Sequence, residues 1–240
     1  MQVIIPMAGL GSRFQNAGFE HPKPFIEFLG KTMIEHVVEN LGASNDFIII
    51  MQKQHYMAYS HIIARLTEQV SSFDAVLIEK PTNGAAETCM LASSKLDHQA
   101  PLMIANCDQI MEWNNYDFRT WFLASGLDGA ICTFDSQSTK NSYALIDENG
   151  LVKQTAEKTV ISPHATTGIY VWNKAGNFLS AAEEMIVQGL RTNNEFYVCP
   201  VYNINVERGE KIGLYHIKKH WPIGTPQDLV NYLSHVASNK

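Results

Sequence analysis

A chain of 240 residues, 45% of them hydrophobic, is long enough for one large α/β domain with a sizeable core. Its net charge of −6 argues against nucleic acid or an anionic membrane as the main partner, because both attract basic surfaces. Phosphate chemistry, if present, must then rest on a few placed cations.

Cys89, Cys107, Cys132 and Cys199 are far apart and form no CxxC pair, a pattern that suits neither a zinc site nor a disulfide framework and fits buried thiols in a reducing compartment. There is no basic n-region with an apolar segment behind it, and no apolar run near the ~20 residues of a membrane span. The expectation is a cytoplasmic protein with no membrane partner. The nine histidines form no HxH or HExxH pattern, which argues against a histidine metal cluster.

In chain order, Val3 to Pro6 reads as a short apolar strand running into a loop with Gly9, Gly11, Ser12 and Arg13, followed later by Lys23 between two prolines. Met33 to Leu41 places Ile34, Val37, Val38 and Leu41 on one helical stripe, with Gly42 as its stop. Asp46 to Met51 reads as a buried strand, Tyr56 to Val70 as a helical stretch and Ala75 to Glu79 as a third strand. Thr82, Asn83 and Gly84 make a loop, Ala85 to Ser94 favours helix, and Leu102 to Ala105 is a fourth strand entering Asn106-Cys107-Asp108.

Strands alternating with helices imply βαβ units and a mostly parallel sheet covered on both faces. Ligands of such sheets bind beyond the carboxyl ends of the strands, so the loops at Gly9 to Arg13, Thr82 to Gly84 and Asn106 to Asp108 should share one edge. The second half reads as short strands at Gly129 to Phe134, Tyr143 to Asp147, Val152 to Thr155 and Thr167 to Trp172, with a turn at Asp147-Glu148-Asn149-Gly150. A helix over Lys174 to Val187, a strand over Lys211 to Ile217 and a helix over Pro226 to Val236 complete the chain. With no repeat or linker, the expectation is a single domain over 1–240, with a nucleotide-binding half to about 112 and an acceptor-binding half beyond it.

A Gly-rich turn after a strand lets backbone N–H groups converge on phosphate. The dinucleotide fingerprint GxGxxG fails here, because Phe14 stands at the third glycine and strand two ends in Met51-Gln52-Lys53 without an acid. A Walker A reading of Gly30-Lys31-Thr32 fails at Phe25, where the first glycine belongs.

The run Met7-Ala8-Gly9-Leu10-Gly11-Ser12-Arg13 with the later Pro22-Lys23-Pro24 resembles the signature of the sugar-1-phosphate nucleotidyltransferases, the NDP-sugar pyrophosphorylases and related cytidylyltransferases. That resemblance implies an α/β fold with a mixed, mostly parallel central sheet flanked by helices, of the Rossmann-like nucleotide-diphospho-sugar transferase type. It also implies roles. Ala8, Gly9, Gly11 and Ser12 would cradle the nucleotide, Asn83 and Gly84 would read its base, and Asp108 would hold Mg2+. Glu157, Lys158 and Gly168 would bind the acceptor, with Tyr143 and Glu195 as further substrate contacts. The stretches Ser142 to Lys158 and Asn194-Glu195-Phe196-Tyr197 look most like a subgroup linked to capsule and surface polysaccharide.

The implied reaction is attack by a phosphate monoester oxygen on the α-phosphorus of an NTP, with pyrophosphate leaving. The attacking phosphate is already ionised at neutral pH, so no general base is needed; alignment and charge neutralisation must do the catalysis. Arg13 would hold the departing β- and γ-phosphates, Lys23 the α-phosphate and Lys158 the acceptor phosphate.

One stretch departs from the family pattern. Many members carry a second metal-binding aspartate in a D-x-G-T segment, and His220-Trp221-Pro222-Ile223-Gly224-Thr225-Pro226 puts Pro222 there. Either one Mg2+ on Asp108 suffices, or Glu195 or Asp228 substitutes, or turnover is lost and the protein only binds a nucleotide or nucleotide sugar. A nicotinamide-dependent oxidoreductase is the remaining alternative. Base, acceptor and homo-oligomeric state stay open.

Overall fold

The computed structural model describes residues 1–9 and 11–239, so Leu10 of the opening signature lies outside it. The chain begins with β1 (Gln2–Pro6), whose Val3, Ile4 and Ile5 are fully buried. Next come α1 (Ser12–Asn16), a 3-10 turn over Lys23–Phe25, β2 (Glu27–Phe28), β3 (Lys31–Thr32) and α2 (Met33–Leu41). The first half continues through β4 (Asp46–Gln52), α3 (Lys53–Ala58), α4 (Ser60–Gln69), β5 (Ser72–Ile78), α5 (Ala85–Met90), β6 (Leu102–Ala105), β7 (Gln109–Glu112) and α6 (Asn115–Ser125). The second half contains β8 (Gly129–Asp135), β9 (Ser142–Ile146), β10 (Val152–Glu157), β11 (His164–Trp172), α7 (Ala175–Val187), α8 (Val201–Glu207), β12 (Ile212–His216), β13 (Lys219–Pro222) and α9 (Pro226–Ser238).

The expected α/β fold with a mixed central sheet is what forms. Strands β5, β4, β1 and β6 pair in parallel, as the alternating helices require. The sheet then changes character, because β11 joins β6 antiparallel and β8 and β9 both pair antiparallel with β11. Parallel pairing therefore dominates the first half and antiparallel pairing the second, within one continuous sheet.

Alternate residues of β1 and β4 feed opposite faces, as a pleated strand demands. Ile4, Ile48 and Ile50 enter one core with Trp172, Phe178 and Tyr202; Val3, Ile5, Phe47 and Ile49 enter the other with Phe118 and Phe122. All four cysteines are free and buried. Among the described residues no helix is long and apolar enough to cross a membrane.

Two features escaped the periodicity. The stretch Tyr56 to Val70 is not one helix, because Tyr59 leaves helical geometry at φ −113° and ψ 32° and separates α3 from α4. Its ring stacks on Phe25 at 4.2 Å, so a tertiary contact holds the break next to the Lys23 turn. The second is a ribbon in which β13 pairs antiparallel with β7, carrying Pro222 opposite Gln109.

A third, smaller core packs Phe14, Ile26, Phe28 and Met33 against Ile223 and Leu229. It seats the N-terminal signature on the C-terminal segment.

Helix α2 shows how tightly this end is pinned. Glu35 is buried, accepts from the Thr32 backbone N–H at 2.8 Å and hydroxyl at 2.6 Å, and receives a forked pair from Arg65 at 2.7 and 2.9 Å. Burial alone would raise its carboxyl, but the Arg65 fork and the Thr32 donors overcome that and hold it at about 2. A depressed carboxyl contributes stability above its unfolded range, and the contribution is lost as pH falls toward about 2. Glu35→Gln should cost about 2 kcal/mol at pH 7. In urea unfolding, its gap from the parent protein should narrow between about pH 5 and pH 2; a pH-independent gap would contradict the charge argument.

Candidate functional site

The site is built at the carboxyl ends of the parallel strands. Past β1, Met7 still pairs through its N–H with the Ile50 carbonyl at 2.9 Å, and the Ala8 carbonyl accepts from the Gln52 side chain at 3.0 Å. The chain then turns at Gly11, which is left-handed at φ 62°, and a β-carbon there would lie 3.1 Å from Cβ of Lys23. Glycine is thus required both by the turn and by the close approach of the Lys23 segment. Ser12 and Arg13 follow on α1 with their side chains exposed.

Lys23 is brought inward by the 3-10 turn between Pro22 and Ile26 and meets the loop after β6. Its Nζ donates to Oδ2 of Asp108 at 2.7 Å, with the two side chains only 21% and 25% exposed. Burial opposes charge on the ammonium, yet the Asp108 carboxylate beside it prevails and holds its pKa above the ordinary lysine value. Burial likewise works to raise Asp108, and the neighbouring Lys23 outweighs it, holding the carboxyl below the usual range. Both groups are therefore charged at neutral pH.

The Asp108 loop is fixed from two more sides. The Asn106 N–H donates to the Gly168 carbonyl at 3.0 Å, so the bulged part of β11 abuts it. The Ile223 N–H donates to the Asp108 carbonyl at 2.9 Å, and Gly224 backs so closely on this loop that a β-carbon would meet Oδ2 at 2.6 Å. The Pro222 segment thus does reach Asp108, but it arrives as backbone. Asp228 is occupied at the start of α9, where its carboxylate accepts from the Thr225 hydroxyl at 2.6 Å. Among the described residues no group of three or more His, Cys, Asp or Glu is arranged to hold a metal ion.

At the second loop, Gly84 has φ 142°, and a β-carbon there would lie 2.5 Å from the backbone of Phe196. The Asn83 backbone is already committed, its carbonyl to the Phe196 N–H at 2.8 Å and its N–H to Glu87 at 2.6 Å. What Asn83 offers to a ligand is its exposed carboxamide.

The acceptor candidates divide. Glu157 is buried and accepts from the Ser142 hydroxyl, and burial raises its carboxyl. Lys158 has φ 55°, uncommon for a residue with a side chain, and its Nζ donates to the Tyr197 hydroxyl at 2.5 Å. Glu195 is exposed and bridges to Thr192, close enough for its charge to act on both Glu157 and Lys158. Tyr143 is fully buried, and its hydroxyl donates to the Ser138 carbonyl at 2.9 Å.

Sequence reading assigns Tyr197 no role of its own beyond its place in the Asn194-Glu195-Phe196-Tyr197 stretch, and it does not reveal a buried polar group beside the Asp108 loop. Among the described residues Gln109 Nε2 and Thr167 Oγ1 are buried without a hydrogen-bond partner, and both ring nitrogens of His220 are buried beside the Thr167 backbone. Burial pushes the His220 imidazole down to about 4, so it is neutral at pH 7. No motif marks these residues, which become neighbours only through the β7–β13 ribbon and the bulge of β11.

Known proteins place this arrangement. A family model described as nucleotidyl transferase matches residues 2–239. The chain is similar to the mannose-1-phosphate guanyltransferase of Schizosaccharomyces pombe, 26% identical over 181 residues that cover 72% of this chain and 50% of that protein. Its likeness to the Dictyostelium discoideum mannose-1-phosphate guanylyltransferase catalytic subunit beta is 23% over 180 residues, with the same shares. The match thus spans about half the length of these curated relatives. Among solved structures, a nucleoside-diphosphate-sugar pyrophosphorylase from Vibrio cholerae RC9 superposes with a TM-score of 0.84 at 27% identity, covering 97% of this chain and 99% of that one. The inositol-1-phosphate CTP transferase from T. maritima shares the fold, with a TM-score of 0.77 at 14% identity over 99% of this chain and 94% of its own. With the family model matched almost end to end, the chain belongs to the nucleotidyl transferase family.

Proposed function

We propose that the protein transfers a nucleotidyl group from an NTP to the phosphate of a small phosphorylated sugar, polyol or similar ester and releases pyrophosphate. The observation that carries this reading is the Lys23–Asp108 contact, which brings a cation from the 3-10 turn beyond α1 onto an acid in the loop after β6. An acceptor phosphate oxygen would form the new bond to the α-phosphorus as the α–β anhydride bond breaks. A lysine ammonium carries three donors, and those of Lys23 not spent on Asp108 would bind α-phosphate oxygens. Arg13, exposed on α1 and near enough for its charge to act on Lys23 and Asp108, would hold the departing phosphates. Lys158 would hold the acceptor phosphate, with Glu157, Gly168 and Glu195 around its body, while Ala8, Gly9, Gly11 and Ser12 face the triphosphate and Asn83 and Gly84 the base.

Mg2+ fits this site in one mode. It is usually bound through one or two carboxylates together with substrate phosphates, and Asp108 can supply one carboxylate oxygen beyond the one on Lys23. When bound, the ion would neutralise phosphate charge. Pro222 adds no side-chain ligand.

The reading extends to a cytoplasmic, polysaccharide-linked role and to one domain over 1–240. The domain reading is supported by the sheet that runs unbroken from the first half into the second. Pro222 favours a second reading, a nucleotide- or nucleotide-sugar-binding protein without turnover. Pyrophosphate release with Mg2+, each NTP and a panel of sugar and polyol phosphates separates the two: release with one pair supports transfer, and binding without release for every pair supports the alternative.

For the active pair, Lys23→Ala should lower kcat/KM by about 10³-fold, the order expected for removing a placed cation from phosphoryl chemistry, with the circular dichroism spectrum unchanged. Undiminished pyrophosphate release from that variant would contradict the mechanism.

A further inference from the structure

Lys158 is the one acceptor-site cation proposed, and its position is not self-supporting. Its backbone is left-handed at φ 55° and held by its N–H on the Asn141 carbonyl at 3.0 Å. A lysine side chain is long and flexible, so fixing its ammonium needs a further partner. That partner is Tyr197, whose hydroxyl accepts from Nζ at 2.5 Å while the ring lies 4.7 Å from it.

Tyr197 belongs to a strap that is fastened elsewhere in the site. Asn193 and Asn194 turn the chain with φ 48° and 64°, and Thr192 and Glu195 close that turn through 3.0 and 2.9 Å backbone hydrogen bonds. Phe196 is buried; Arg191 lies over its ring at 4.3 Å, its N–H donates to the Asn83 carbonyl at 2.8 Å and its carbonyl accepts from the Ala86 N–H at 2.9 Å. The residue before Tyr197 is thus clamped to the loop assigned to the nucleobase, and Tyr197 reaches from there to Lys158.

We propose that Tyr197 is a positioning residue for the acceptor phosphate: it holds the Lys158 ammonium in the cleft from the same backbone run that is anchored to the nucleobase loop. The inference rests on the transferase reading for the role of Lys158, while the contact itself stands on geometry. Tyr197 acts through Lys158, so its loss should affect one substrate and spare the other.

The test is Tyr197→Phe, which keeps the ring and removes the hydroxyl. Losing one charge-assisted hydrogen bond should raise the KM for the acceptor phosphate about tenfold, leaving the KM for the NTP within about twofold and kcat within about threefold. Lys158→Ala should raise the same KM, and the double variant should be no worse than Lys158→Ala alone, because Tyr197 has nothing left to position. An unchanged acceptor KM, a parallel rise in the NTP KM, or additive losses in the double variant would overturn the proposal. Calorimetric titration with inorganic phosphate reads the same site without turnover and should show about tenfold weaker binding in Tyr197→Phe. If the unaltered protein releases no pyrophosphate with any pair, the transferase reading fails, and the phosphate titration alone decides for or against Tyr197.

Discussion

The ion pair between Lys23 and Asp108 is the constraint on which the rest of the cleft depends. The two residues are separated by 85 positions in the chain and meet at 2.7 Å, because β1 and β6 are parallel neighbours and the Lys23 turn folds back against Gly11 of the loop after β1. Removing two charges from water is costly, and such a pair persists when each member compensates the other. Under the proposed transfer the pair would also matter for a polyanion, since a carboxylate left alone would repel a triphosphate and one paired with Lys23 would not.

Around this point the fold divides its labour. The parallel half supplies the loops at Gly11 and Gly84 from its strand ends, which is where doubly wound sheets place ligands. The antiparallel half brings Gly168 against Asn106 and carries Lys158 at the end of β10. The strap through Phe196 and Tyr197 ties the Asn83 loop to Lys158, and the core of Phe14, Ile223 and Leu229 joins the N-terminal signature to the C-terminal segment. Pro222 fits the same logic. Its segment touches Asp108 through the Ile223 backbone, so it shapes the loop even though its side chain cannot bind a metal.

Much of this was legible in the sequence where local signals and tertiary demands agree. The helix Met33–Leu41 and the strand Leu102–Ala105 form over the expected residues, since the stripe of Ile34, Val37, Val38 and Leu41 and the fully apolar run each specify one solution. The glycine loop and the Pro-flanked lysine were readable because their chemistry depends on backbone geometry and charge. The break at Tyr59 was not, as it is fixed by stacking on Phe25 from a distant part of the chain. The burial of Tyr143 was not legible either, because only packing shows that its hydroxyl serves the Ser138 carbonyl. Tyr197 and His220 lay inside stretches singled out for other reasons, and their own contacts were not legible because the neighbours come from the folded sheet.

A double-mutant cycle on Lys23 and Asp108 tests the central claim most directly. Urea unfolding of the parent protein, Lys23→Met, Asp108→Asn and the double variant yields the interaction energy between the two side chains. If the pair joins the two loops, each single change strands a charge, and the double variant loses at least about 1 kcal/mol less than the sum of the singles. Losses that add to within about 0.3–0.5 kcal/mol would show that the two groups act independently and would contradict the account.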